Sequence, residues 1–287
     1  MLDYAEDKFI DVDGINIRYR YFGTGVETLV FIHGLAASLD YWYKLVPDLA
    51  KYYKIVTFDL PGHGHSDKPI LDYSTQFYLQ FLEKFIKYLQ IKNFTLIGHS
   101  FGGGIALKFT IMHPESVKKL ILLSNTGFSK KIILFFRLLT IPGLRNILTK
   151  VSLNKVKKFL LLGAYDESVI TKDLIDRMHQ IVLQPGFHHM LFSTLKYTIT
   201  FFGVKRTVYE EIIDKLPSVM VPILLIWGSE DKILPLQWQQ QALKRCYATD
   251  RVIVLLQCGH LIHIERFTEV KNLIEEFMLS NSLENKV

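Results

Sequence analysis

The sequence predicts an α/β fold, a mostly parallel, doubly wound sheet interrupted by an inserted helical segment. Three observations carry that expectation. Short apolar runs rich in β-branched residues alternate with helix-period segments from Phe9 to Ser124. From Asn125 to about Ser218 helical patterns continue with no convincing strand. Strand-like runs then resume at Val221–Gly228 and Arg251–Gln257, each followed by a helical pattern. The chain has 287 residues, 49% of them hydrophobic, which excludes a disordered protein and suits one large domain carrying an insertion. The expected division is a core of residues 1–124 and 219–287 with a helical cap of residues 125–218.

In chain order, FIDV and INIRYRYF flank Asp13-Gly14, a pair that permits a type I′ turn, so they read as a hairpin. Thr28–Gly34, Lys54–Leu60, Phe94–Ser100 and Lys118–Ser124 have the near-continuous apolar character of strands buried on both faces. Between them, Asp40–Lys51, Thr75–Gln90 and Phe101–His113 repeat apolar residues at helical spacing. Strand–helix alternation of this kind gives right-handed crossovers and a parallel sheet. Pro142-Gly143 and Pro185-Gly186 break the helical block, and Glu265–Leu279 reads as the last helix.

The net charge is +6, but it is not spread evenly. Lys130, Lys131, Arg137, Arg145, Lys150, Lys155, Lys157 and Lys158 fall between Asn125 and Tyr165, a segment without Asp or Glu. Setting those eight aside leaves −2 for the remainder, so the excess is local. No nucleic-acid-binding motif accompanies the basic segment, and nucleic acid is excluded as a partner. The two cysteines, Cys246 and Cys258, are too few for a disulfide framework and fit a reducing, cytoplasmic compartment. The acidic start MLDYAEDKFI lacks a signal peptide's apolar region, Leu2 excludes myristoylation, and no apolar run is long enough to span a bilayer.

The chemistry concentrates in FTLIGHSFGGG, where Gly98-His99-Ser100-Phe101-Gly102 forms G-x-S-x-G between a predicted strand and helix. A tight turn there pushes the serine into an exposed, strained position at a helix N-terminus that favours developing negative charge. A serine hydroxyl needs a base to take its proton, and that base must be held in one tautomer. Two later loops supply candidates: Asp231 in Trp227-Gly228-Ser229-Glu230-Asp231, and His260 in Cys258-Gly259-His260. Each follows a predicted strand, which places all three on the sheet edge where open α/β folds bind ligands.

On these motifs the chain resembles the α/β-hydrolase superfamily, in its capped serine esterase and lipase form, nearly end to end. His33-Gly34-Leu35 matches the family's oxyanion motif, and Asp59-Leu60-Pro61-Gly62-His63-Gly64-His65-Ser66-Asp67 matches its next loop. Gly259-His260, followed by Glu265, matches its terminal motif. The resemblance implies Ser100 as nucleophile, Asp231 as acid and His260 as base. It implies an oxyanion hole of the Leu35 and Phe101 backbone N–H groups, with His33, Gly34, Gly98, His99 and Gly102 in support. It implies no cofactor and no metal. Phe267 stands where many relatives have a proline opening the last helix. A serine at the elbow, where the haloalkane dehalogenase and epoxide hydrolase branches carry an aspartate, points to acyl chemistry.

Rivals exist for several positions. Glu230 and Asp59 compete with Asp231, and His263 competes with His260 but does not follow the strand-ending glycine. His63-x-His65-x-Asp67 is spaced like a zinc motif, yet Lys68 follows where that motif needs another histidine. His188-His189 reads as packing of the cap, and Cys258 as a small buried residue. The stretch Phe128–Leu162 is dense in Leu, Ile and Phe interrupted by uncompensated Lys and Arg. It is the expected substrate-binding region, and its basic face a candidate contact with anionic membrane. The leading expectation is hydrolysis of lipophilic carboxylic esters, including monoacylglycerols. The alternatives are C–C bond hydrolysis of an anionic meta-cleavage product, with Arg137 or Arg145 as the counter-charge, and a non-catalytic ligand receptor on the same fold.

Overall fold

A computed structural model describes residues 5–245 and 249–280. The hairpin forms from β1 (Lys8–Val12) and β2 (Ile15–Phe22), with Asp13 and Gly14 both at positive φ in the turn. Then come β3 (Thr28–Ile32), α1 (Val46–Leu49), β4 (Lys54–Phe58), α2 (Thr75–Tyr88), β5 (Phe94–His99), α3 (Ser100–Met112) and β6 (Val117–Leu123). The resumed part contains β9 (Ile223–Gly228), α10 (Gln240–Leu243), β10 (Thr249–Leu255), α11 (Ile262–Glu265) and α12 (Phe267–Leu279). Between β6 and β9 lie α4 (Leu134–Leu138), α5 (Leu144–Leu148), α6 (Leu153–Gly163), α7 (Lys172–Leu183), α8 (Phe187–Thr198), β7 (Ile199–Thr200), β8 (Gly203–Val204) and α9 (Arg206–Ile213).

The large sheet has the order β1-β2-β4-β3-β5-β6-β9-β10. Its strands from β4 to β10 pair in parallel, while β1–β2 and β2–β4 pair antiparallel. This is the α/β-hydrolase fold class that the sequence predicts. After β3 the chain crosses to β4 on one side, then returns past β3 to β5 on the other. That reversal opens a crevice at the C-terminal ends of β3 and β5. Alternate side chains feed two cores: Val30, Val56, Leu96 and Leu122 pack on one face, and Phe31, Ile55, Ile97 and Ile121 on the other.

Three expected elements differ. Asp40–Lys51 is not one helix but a 3₁₀ turn at Leu39–Trp42 followed by the short α1. Pro47 sits in the first turn of α1, where its missing N–H costs nothing, whereas continuing a helix through it would set its ring against the Tyr43 carbonyl. The last helix divides at Arg266, whose φ of −124° is non-helical. Strands do occur within residues 125–218: β7 and β8 pair antiparallel, with Gly203 at φ +134°. Two residues per strand are too few for alternation to register in sequence. Cys246 lies outside the described residues, and Cys258 is a buried free thiol. No helix among the described residues is long and apolar enough to cross a membrane.

Candidate active site

Ser100 opens α3 at φ +53°, left-handed backbone that costs a non-glycine residue about 1–3 kcal/mol and lifts its side chain off the sheet edge. The turn closes because Gly98 and Gly102 lack side chains. A Cβ on Gly98 would stand 2.6 Å from the Gly102 oxygen, and one on Gly102 only 2.3 Å from the His33 oxygen. The second contact draws the β3 loop, with Gly34 and Leu35, against the helix start.

The Ser100 hydroxyl donates to His260 Nε2 at 2.9 Å, and His260 Nδ1–H donates to Asp231 Oδ2 at 2.8 Å. Asp231 comes from the loop after β9, and its Oδ1 accepts the N–H groups of Ile233 (2.9 Å) and Leu234 (2.7 Å). Burial disfavours the carboxylate, but the adjacent His260 and those two N–H groups outweigh it and hold Asp231 below the ordinary carboxylate range. Leu35 and Phe101 both border the cavity beside Ser100. The rivals stand elsewhere: Glu230 accepts from its neighbour Ser229, and Asp59 is buried against Arg18 and the Leu39 and His65 N–H groups.

Buried imidazoles brace the site. His33 Nε2 accepts from Leu60 N–H, which fixes the proton on Nδ1, and this donates to the Gly34 oxygen at 2.8 Å. His99 Nε2–H donates to the His260 carbonyl at 2.9 Å. His263, in α11, packs 4.4 Å from the His99 ring and 4.8 Å from Trp42, with neither ring nitrogen hydrogen-bonded. Burial, then the nearby His260, push His263 down to about 3, and burial likewise lowers His33 and His99. All three are therefore neutral at pH 7.

His63 and His65 diverge: His63 Nδ1–H donates inward to the Pro61 oxygen, while His65 meets Gln184. Lys68 donates to the Gly64 and Ser66 oxygens and to Gln184 Oε1. His188 meets the Thr149 oxygen and His189 the Leu71 oxygen. Lys44 lies 5.3 Å above the Phe267 ring.

Sequence reasoning left the work of Glu265 unassigned. Its Oε1 accepts Gly259 N–H at 3.1 Å, and its Oε2 accepts the N–H groups of Tyr165 (2.8 Å) and Asp166 (3.0 Å). His260 N–H also donates to the Gly163 oxygen. The loop carrying His260 is thus bonded to the C-terminal end of α6. Only the sequence interval between His260 and Glu265 hinted at this, since the partners lie some 100 positions away.

The cavity over Ser100 holds about 150 Å³. Its lining includes Ile132, Phe136, Phe159 and Leu160 from the Phe128–Leu162 stretch, and extends past it to Met178, Leu195, Val204 and Ile212. No Asp, Glu, Lys or Arg is among the described lining residues. Arg137 instead donates to the Phe201 oxygen, and Arg145 lies over the Phe192 ring.

A family model described as the alpha/beta hydrolase fold matches residues 27–267. The chain belongs to this family. It is 31% identical over 276 residues to the uncharacterised hydrolase YugF of Bacillus subtilis, covering 93% of this chain and 96% of that protein. It is 29% identical to a 2-hydroxymuconate semialdehyde hydrolase of a Pseudomonas species, covering 92% and 91%. Among solved structures, a meta-cleavage product hydrolase from Pseudomonas fluorescens superposes with a TM-score of 0.80 at 23% identity, covering 94% of this chain and 97% of that one. This α/β hydrolase thus acts on a small molecule, as its family implies.

Proposed function

We propose that this α/β hydrolase cleaves carboxylic esters with apolar acyl or alcohol groups, as a carboxylesterase whose range extends to monoacylglycerols. The observation that carries the reading is the Ser100–His260–Asp231 line opening on a cavity lined without charged residues. Ser100 attacks the ester carbonyl while His260 takes its proton and Asp231 stabilises the imidazolium. The Leu35 and Phe101 N–H groups stabilise the tetrahedral oxyanion, each worth about 3–4 kcal/mol. His260 then protonates the departing alcohol, and water it activates releases the acid. Residues 125–218 act as a cap whose inner wall selects the substrate.

A second reading, C–C bond hydrolysis, is favoured by the likeness to 2-hydroxymuconate semialdehyde hydrolase. An anionic substrate of that type calls for a cation in the cavity, and Arg137 and Arg145 are engaged outside it. A series of p-nitrophenyl esters of rising chain length, run beside a meta-cleavage product, tests the choice. The expected result is ester turnover with a medium-chain optimum, lost by roughly 10⁴-fold or more in Ser100→Ala. Turnover of the meta-cleavage product alone would replace the ester reading. Esterase activity retained in Ser100→Ala would remove the mechanism.

A further inference from the structure

We propose that the β7–β8 hairpin tip and the outward side of α4 form a docking surface for an anionic lipid bilayer. Phe201 and Phe202 make the tip, ring against ring at 5.6 Å, and Phe202 is 89% exposed. Leu134, one turn before Arg137 on α4, is 56% exposed, and no residue of α4 is buried. Large apolar groups left in water at one place mark an interaction surface.

The helix and the hairpin form a continuous patch. Arg137 Nε donates to the Phe201 oxygen at 2.5 Å, and its guanidinium lies 5.1 Å from the Phe201 ring. At the base of the hairpin, Val204 N–H donates to the Lys130 oxygen at 2.9 Å. Lys130 and Lys131 are exposed beside it. The nearby carboxylates of α9 are occupied, Glu210 with Arg206 and Glu211 with Lys108. An aromatic tip ringed by uncompensated cations matches the acyl boundary and the phosphates of an anionic leaflet. A protein partner's cations would compete there with Arg206 and Lys108 for the two nearby α9 carboxylates.

The same elements line the cavity from within, through Phe136 of α4 and through Ile199 and Val204 of the hairpin, joined by Ile132 just before α4. A lipophilic substrate therefore passes from the bilayer toward Ser100 across one thickness of helix. That passage rests on the ester reading, whereas the docking does not.

Co-sedimentation tests it, using vesicles of phosphatidylcholine alone and of equal parts phosphatidylcholine and phosphatidylglycerol. Binding to the mixed vesicles should exceed binding to the neutral ones by about tenfold or more and fall as salt is raised. Phe201→Ser/Phe202→Ser and Lys130→Glu/Lys131→Glu should each weaken it about tenfold. Both variants should hydrolyse a short, soluble p-nitrophenyl ester at the parent rate. Equal binding to the two vesicles, or unchanged binding in both variants, overturns the proposal. So does a dimer that dissociates in the phenylalanine variant without lipid, which would assign the face to a second copy. Binding that persists in a protein inactive on every ester leaves the docking intact and removes only the ester reading.

Discussion

The sheet edge around Ser100 and the first part of the helical segment are both rich in apolar residues, yet they are built in opposite ways. At the sheet edge, β5 and β9 are buried along their whole lengths, and the Ser100, His260 and Asp231 side chains are hydrogen-bonded in line, while the ring nitrogens of His263 beside them have no partner. In α4 and α5, by contrast, Leu, Ile and Phe dominate but no residue is fully buried. One region uses its apolar content to hold the Ser100, His260 and Asp231 side chains in hydrogen-bonding register. The other keeps its apolar content at an interface with something else, the cavity on one side and the surroundings on the other. The seam between the core and the helical segment is joined at several points: Glu265 and the His260 N–H bond to residues 163–166, Lys108 pairs with Glu211, Lys68 donates to Gln184, and Tyr73 N–H donates to Ser193 Oγ.

The largest effect that would break this comparison lies at the sheet edge. Asp231→Asn keeps the shape but removes the acceptor that fixes the proton on His260 Nδ1, so kcat on esters should fall by about 10⁴-fold. A fall of less than tenfold would mean that the orientation of His260 is set by other contacts. Next comes packing. Ile97 is wholly buried in β5, and Ile97→Ala should cost about 2–5 kcal/mol in urea denaturation. At the seam, Glu265→Ala leaves the N–H groups of Gly259, Tyr165 and Asp166 without their acceptor. It should cost about 1–3 kcal/mol and lower kcat more than it raises KM, because the His260 loop is released. An unchanged kcat would make Glu265 a purely structural tie.

Much of the sheet edge was readable because its signals are local. The glycines around Ser100 are required by backbone contacts of their neighbours, and the parallel strands announce themselves as apolar runs. What was not readable depends on distant partners. The Arg18 guanidinium collects Asp7, Asp40 and Asp59 from three separate segments, and burial of that cluster has no period in the sequence. The cavity wall drawn from α7, α8 and α9 uses the same apolar stripe that any packed helix shows. The β7–β8 hairpin is shorter than the window in which alternation can be counted, so its two exposed phenylalanines looked like part of a helix.

Acid sensitivity sharpens the comparison further. With His263 at about 3 in the folded protein, the unfolded chain takes up a proton below about pH 6.5 that the folded one refuses. The stability due to this neutral imidazole is complete above about pH 6.5 and is lost toward pH 3, at about 1.4 kcal/mol per pH unit. His33, His63 and His99 are lowered in the same direction, so the core should lose stability steeply in this window. His263→Phe should flatten the loss by one proton's worth, read as urea midpoints at pH 7 and pH 5. Parallel pH dependences in the two proteins would show that His263 is protonated in the fold.

The smallest effect is expected in the other region, and it bears most directly on the contrast. Ile147 in α5 is 68% exposed and belongs to a helix with no buried residue. Ile147→Ser in lipid-free solution should therefore change stability by no more than about 0.5 kcal/mol, although the same chemistry at Ile97 would be ruinous. Thermal denaturation decides it. A loss above about 1 kcal/mol would mean that α5 is packed into the body of the protein, and the contrast between a buried sheet edge and an exposed helix would fail at α5.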